Sequence, residues 1–183
     1  MTAEGRVKVL KDVELRLVSE LMKNSRRSDR ELAKALGVSQ PTVSRAIKSL
    51  EKQGMIKEYT MIPDFSKLGY KVLAITFVKL KKALNQEQIE KTRRLAKESL
   101  NAEALEVVML ERGLGLDSDG VFITYHKDYS SHVKFIAWLR QFDFLTIEDI
   151  RNFLISLEDT VRYRPLTFSA LANHVLQMKE NKE

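Results

Sequence analysis

The sequence predicts an α+β chain: a helical N-terminal third, then the order strand, helix, strand, strand, helix, strand, then a short closing helix. Three observations carry this. Apolar residues recur at helical spacing between residues 12 and 54, and each run opens on a capping residue. From residue 72 onward, stretches rich in β-branched and aromatic residues alternate with two longer helical patterns. Pro165 then interrupts the chain before a last helical stretch.

Within the first third, Val13, Leu17, Val18 and Leu21 place a helix over residues 12 to 23, with Asp12 as its expected cap. Asn24-Ser25 ends it, and Arg26 and Arg27 follow. Ser28 with Glu31 three residues later is a capping box, opening a short helix whose apolar positions are Leu32, Ala33, Ala35 and Leu36. Gly37-Val38-Ser39 makes a tight turn. Ser39 caps a third helix, Pro41 sits in its first turn where a missing N–H does no harm, and Gly54 ends it. Val43, Ala46, Ile47 and Leu50 form one stripe of this helix; opposite stand Gln40, Thr42, Ser44, Arg45, Lys48 and Lys52, with no acid before Glu51. A short helix, a glycine turn and a capped helix with a cationic outer face make a helix-turn-helix, whose second helix presents its N-terminal residues to base edges. The alternation through Met55, Ile56, Tyr59, Met61 and Ile62 predicts the strand pair of a wing, so residues 1 to 64 read as a winged helix-turn-helix domain.

Residues 65 to 70 are a short linker, and residues 71 to 166 a second domain. Residues 72 to 80 are its first strand, and residues 85 to 99 a helix through Ile89, Leu95 and Ala96 with Asn85 as cap. Residues 104 to 110 form a second strand, residues 113 to 120 a turn, and residues 121 to 126 a third strand. A second helix over residues 128 to 142 is unusually apolar: Phe135, Trp138, Leu139 and Phe142 on one stripe, Val133, Ile136 and Ala137 on the next. That face is wider than one sheet covers, which predicts an oligomer interface at Phe135, Trp138, Leu139 and Phe142. A fourth strand over residues 152 to 157 completes a ferredoxin-like βαββαβ arrangement, with residues 146 to 149 open between loop and short helix. A tail over residues 167 to 183 holds a last helix from about residue 169 to 178, aligned through Leu171, Val175 and Met178.

Charge separates the two parts. The chain carries +6 overall; residues 1 to 70 hold 14 Lys and Arg against 9 Asp and Glu, residues 71 to 183 hold 17 against 16. The excess lies with the helix-turn-helix, which is the footprint of a phosphate-binding module joined to something with another task. There is no Cys, which excludes disulfides, a thiol nucleophile and a Cys-based metal site. No apolar run approaches the roughly 18 residues that span a bilayer, and the N-terminus lacks a signal-peptide core, so no membrane contact and a cytoplasmic location are expected. Asp117 and Asp119 lack the ligand series of a calcium loop; His126, His132 and His174 have no metal-ligand spacing and no Ser partner; Gly113-x-Gly115 lacks the rest of a dinucleotide fingerprint. No catalytic residue, metal or cofactor is expected.

Residues 10 to 70 resemble the winged helix-turn-helix of the Lrp/AsnC (feast/famine) transcriptional regulators. The likeness runs through Leu10, Val13, Leu17, Leu21, Asn24, Arg26, residues 28 to 36, Gly37-Val38-Ser39, Thr42-Val43-Ser44-Arg45, Ile47-Lys48, Leu50-Glu51, Gly54, Ile56-Lys57 and Leu68-Gly69-Tyr70. It departs at Arg27, Ala46 and Ser49. From residue 71 to 166 it rests on element order alone. The resemblance implies a double-stranded DNA partner and a homodimer or higher homo-oligomer, with a small-molecule effector possible. Such relatives keep a compact Gly-x-Tyr-Asp-like turn near their effector site; here the turn reads RGLGLDSDG, without an aromatic beside the acid.

Major-groove chemistry assigns Arg45 to a guanine edge and Gln40 to an adenine edge, with Thr42 and Ser44 on bases or phosphates; Arg26, Lys48, Lys52 and Lys57 are assigned to phosphates. The alternatives are a tetrapyrrole (siroheme) decarboxylase on the same scaffold, or an architectural DNA binder without an effector.

Overall fold

Local hydrogen bonding sets the helical boundaries in the first part of the chain. The structure is a computed structural model that describes residues 10–102, 106–161 and 163–177. Helix α1 (Asp12–Lys23) is capped by Lys11, whose backbone N–H donates to the Glu14 carboxylate at 3.0 Å; Asp12 is the first helical residue, where its charge suits the helix dipole, and not the cap. Helix α2 (Asp29–Leu36) closes the expected box: Ser28 N–H donates to the Glu31 carboxylate at 2.7 Å and Glu31 N–H to Ser28 Oγ at 3.3 Å. Helix α3 (Gln40–Lys52) starts at Ser39, whose Oγ accepts from Thr42 N–H at 3.4 Å. It ends in a Schellman motif, with Gly54 at φ +66°, Met55 N–H donating to Leu50 O and Gly54 N–H to Glu51 O, both at 2.9 Å. Leu17, Leu32, Ala33, Leu36, Val43 and Leu50 are buried together where the three helices meet. Burying each leucine contributes on the order of 2 kcal/mol. The wing's strand pair is not formed: residues 55–62 carry neither helix nor paired strand, and among the described residues of this unit none is a strand that could serve as ladder partner.

The later part is a four-stranded antiparallel sheet in the order β2-β3-β1-β4, built from β1 (Val72–Leu80), β2 (Val107–Gly115), β3 (Ser118–His126) and β4 (Ile147–Ser156). With α4 (Gln86–Ala102) and α5 (Tyr129–Leu139) this is the ferredoxin-like arrangement. Asn85 and Gln88 cap α4 reciprocally, each accepting the other's backbone N–H at 2.9 Å. The expected start of the second strand, at residue 104, lies outside the described residues. The turn after it is much shorter than expected. Only Leu116 and Asp117 form its tip, at φ +51° and +53°, the paired left-handed residues of a type I′ hairpin, so the strands run on to Gly115 and from Ser118. The fourth strand begins at Ile147, and residues 143 to 145 before it form a single 3-10 turn.

Phe135, Trp138 and Leu139 of α5 are buried, at 2%, 8% and 1% exposure, against Val78 and Phe122 of the chain's own sheet; Phe142, beyond the end of the helix, packs at the edge of that core. Of the four residues expected at an oligomer interface, Phe135, Trp138 and Leu139 thus lie in this unit's own core, where Leu95 of α4 also packs, and Phe142 stays half-buried at its edge. The sheet's other face carries Ile75 of β1, paired with Ile123 of β3 and Phe153 of β4. Among the described residues no helix of this unit packs on it, and Phe153 is 62% exposed.

The chain divides into two compact units, one of Met1–Ile62 with Tyr163–Glu183, the other Pro63–Arg162. The connection at residues 65 to 70 folds onto the second unit, where Phe65 stacks on Tyr125 at 3.7 Å between ring centroids. After Pro165 the tail forms a 3-10 turn (Ser169–Leu171) and α6 (Ala172–Gln177). Its inward residues are Ala172, Val175 and Leu176; Leu171 is half exposed, and Met178 lies outside the described residues.

Candidate nucleic-acid interface

The outer face of α3 is built by subtraction. Its apolar stripe is consumed by the core, with Val43 and Leu50 fully buried, and Ser49 donates to the Glu14 carboxylate of α1 at 3.0 Å. What remains outward is Gln40, Arg45, Lys48 and Lys52, all exposed, with Thr42 and Ser44 half-buried beside them. The first turn holds no acid. Arg45 Nε donates to the carbonyl of Pro41 at 3.2 Å, which lays the guanidinium back along the first turn and leaves its terminal amines for an external acceptor. Thr42 Oγ1 lies 2.8 Å from Ser39 Oγ, so the two hydroxyls are held together at the N-terminus of the helix. Tyr59 O–H donates to Glu51 at 3.1 Å, engaging the one acid on this helix and tying the segment after Gly54 to it; burial and that carboxylate both push the Tyr59 hydroxyl's pKa up.

The two arginines before α2 have different fates. Arg27 pairs with Glu20, which Lys23 also holds at 2.7 Å, and these cations, Lys23 foremost, keep the Glu20 carboxyl below the usual carboxylate range. Arg26 is exposed, and its backbone N–H donates to Asn24 Oδ1 at 3.0 Å. Lys57 is exposed on the segment after α3. Arg30 and Lys34, four residues apart on the side of α2 away from Leu32 and Leu36, are also exposed, and the first helix of a helix-turn-helix is the one that crosses the phosphate backbone.

Elsewhere the structure joins groups that spacing kept apart. His132 Nδ1 lies 3.4 Å from His126 Nε2, and Thr124 Oγ1 lies 2.7 Å from that same nitrogen; both histidines are 3% exposed. Burial, with the neighbouring imidazole adding, pushes His126 down to about 4, and burial also lowers His132. Asp117 pairs with Lys79 at 2.9 Å and Asp119 accepts the N–H of Leu80 at 2.8 Å, so both acids of the hairpin serve to hold it. Among the described residues no cluster of three or more His, Asp or Glu is arranged to hold a metal ion, and no helix is long and apolar enough to cross a membrane.

A winged helix-turn-helix DNA-binding profile matches residues 10–57. LrpC of Bacillus subtilis, an HTH-type transcriptional regulator, is 39% identical over 74 residues, 40% of this chain and 51% of that protein. Ptr1 of Methanocaldococcus jannaschii, also an HTH-type transcriptional regulator, is 30% identical over 129 residues, 70% of this chain and 80% of that protein. The chain belongs to the Lrp/AsnC family. Its likeness to other curated relatives spans about half of their length. The crystal structure of PH0061, from Pyrococcus horikoshii, superposes with a TM-score of 0.67 at 26% identity, covering 87% of this chain and 99% of that one, so both halves of the Lrp/AsnC architecture are present.

Proposed function

We propose that this chain is a sequence-specific double-stranded DNA-binding transcriptional regulator acting as a dimer or higher oligomer, and not an enzyme. The observation that carries it is the outer face of α3: exposed cations and short hydrogen-bonding groups, free of acids over its first turns, on a helix capped at both ends and locked into a helix-turn-helix core. Arg45 reads a guanine edge and Gln40 an adenine edge, with Thr42 and Ser44 beside them; Arg26, Lys48, Lys52 and Lys57 neutralise phosphates. One domain of this size offers a small interface, so useful affinity needs two copies on one duplex, with half-sites about one helical turn apart. The open face of the sheet around Ile75, Ile123 and Phe153 supplies the contact between copies in this reading. A cytoplasmic site of action goes with this reading.

Selection of bound sequences from random duplex DNA tests it, with the native protein and Arg45→Ala compared across a salt series. The expected result is a near-palindromic motif for the native protein that is lost or degraded in the variant. Salt-sensitive binding without a motif in either protein would mean an architectural role, and absence of binding would remove the DNA reading altogether.

A further inference from the structure

Helix α1 has a second face. At 100° per residue Leu15, Ser19 and Met22 share a stripe turned away from the one that Leu17 and Leu21 give to the core. Ser19 on that stripe is 1% exposed, with a hydroxyl that finds no hydrogen-bond partner among the described residues, so something apolar lies over it. The cover is a later segment of the same chain: the turn Ser169–Leu171 and α6 pack along α1, with Ala172, itself 1% exposed, on the inner face of α6. Ser and Ala are small side chains that let two helices approach closely. The chain thus leaves the helix-turn-helix unit after Ile62 and returns to it at Tyr163.

We propose that the segment from Ser169 to Gln177 is a latch on the second face of α1. Through it the sheet unit holds the DNA-binding unit by two covalent connections in place of one, which restricts the spacing of half-sites that a dimer accepts. The spacing clause rests on the reading of the chain as a dimeric DNA binder; the docking clause does not.

The test uses the full chain and Ala172→Glu, which sets a carboxylate against the apolar face. Amide hydrogen exchange of residues 12 to 23 should become about ten-fold faster or more in the variant, with β1 and β3 unchanged. On duplexes whose half-sites are moved apart by about half a helical turn, the native protein should lose roughly ten-fold in affinity and the variant less than about three-fold. Unchanged exchange in α1 would overturn the docking; faster exchange with an undiminished spacing penalty would overturn the restriction. Protection of α1 that disappears on dilution through dimer dissociation would assign the covering helix to a second copy and likewise overturn the latch. If Ala172→Glu also strips protection from α2 and α3, the milder Val175→Ala is read by the same criteria. Failure of the DNA reading itself would show as native protein that binds no duplex, with the exchange experiment still deciding the docking.

Discussion

Two helical surfaces of this chain are about equally rich in cations and treat them in opposite ways. On α4 of the sheet unit, Lys91 lies 2.8 Å from Glu87 and Arg93 2.6 Å from Glu90, one turn away along the same helix. Across the sheet, Lys79 pairs with Asp117 and Arg151 lies 3.5 Å from Asp149. On α3, Arg45, Lys48 and Lys52 take part in no ion pair among the described residues, and the single acid of the helix is engaged by Tyr59. A locally neutralised surface is built to stay in water. A surface whose cations stand in no ion pair among the described residues keeps a field that a polyanion can answer.

The contrast can be broken most forcefully through the second copy. Phe153→Asp sets an unpaired carboxylate in the open apolar face of the sheet, and should abolish the proposed oligomer and cost about 100-fold or more in affinity for a paired-site duplex. Sedimentation and DNA titration on the same sample check both halves. Next in size, Arg45→Ala should weaken binding to the selected duplex by about 1–3 kcal/mol, with a much smaller change on random duplex, measured by fluorescence anisotropy. On the neutralised side, Arg93→Ala should leave DNA affinity within about two-fold, because its charge is already answered by Glu90 and the pair is exposed.

Acid should sharpen the comparison in stability rather than binding. His126 and His132 are neutral in their buried pair, with folded pKa values below the ordinary 6.5, so the unfolded chain takes up protons first as pH falls. Asp128, whose charge works in the opposite direction on His126, only partly offsets this. The contribution of the pair is intact above about 6.5 and is lost progressively toward about 4. Thermal melts across that window should show the sheet unit losing several degrees, and His126→Phe should flatten the dependence.

How much of this was legible beforehand depended on whether the determining interactions were local. The N-caps at Ser28 and Ser39 and the stop at Gly54 act within a few residues of themselves, and helices α2 and α3 lie where those signals placed them. The first strand was equally plain, since residues 72 to 80 are rich in β-branched and aromatic residues. The hairpin was not: its tip falls on Leu116 and Asp117, neither a glycine, because cross-strand register and the bonds from Arg151 to their carbonyls choose the turn over the glycine-rich string around it. The breadth of the apolar face on α5 was legible but the share of it that the chain's own sheet buries was not, since nothing in a helical pattern says which surface will cover it. The His126–His132 pair and the second stripe of α1 were missed for the same reason, each being defined by a packing partner remote in sequence or on another element.

In the proposed function the exposed cations of α3 meet phosphates and bases. The slope of log affinity against log salt, compared between the native protein and the double variant Lys48→Ala/Lys52→Ala, tests it most directly. Each lost phosphate contact should reduce that slope by about one unit, so the double variant should fall by about two per bound domain, while Arg93→Ala stays on the native line. A double variant with the native slope would contradict the account and place the DNA contact elsewhere on the chain.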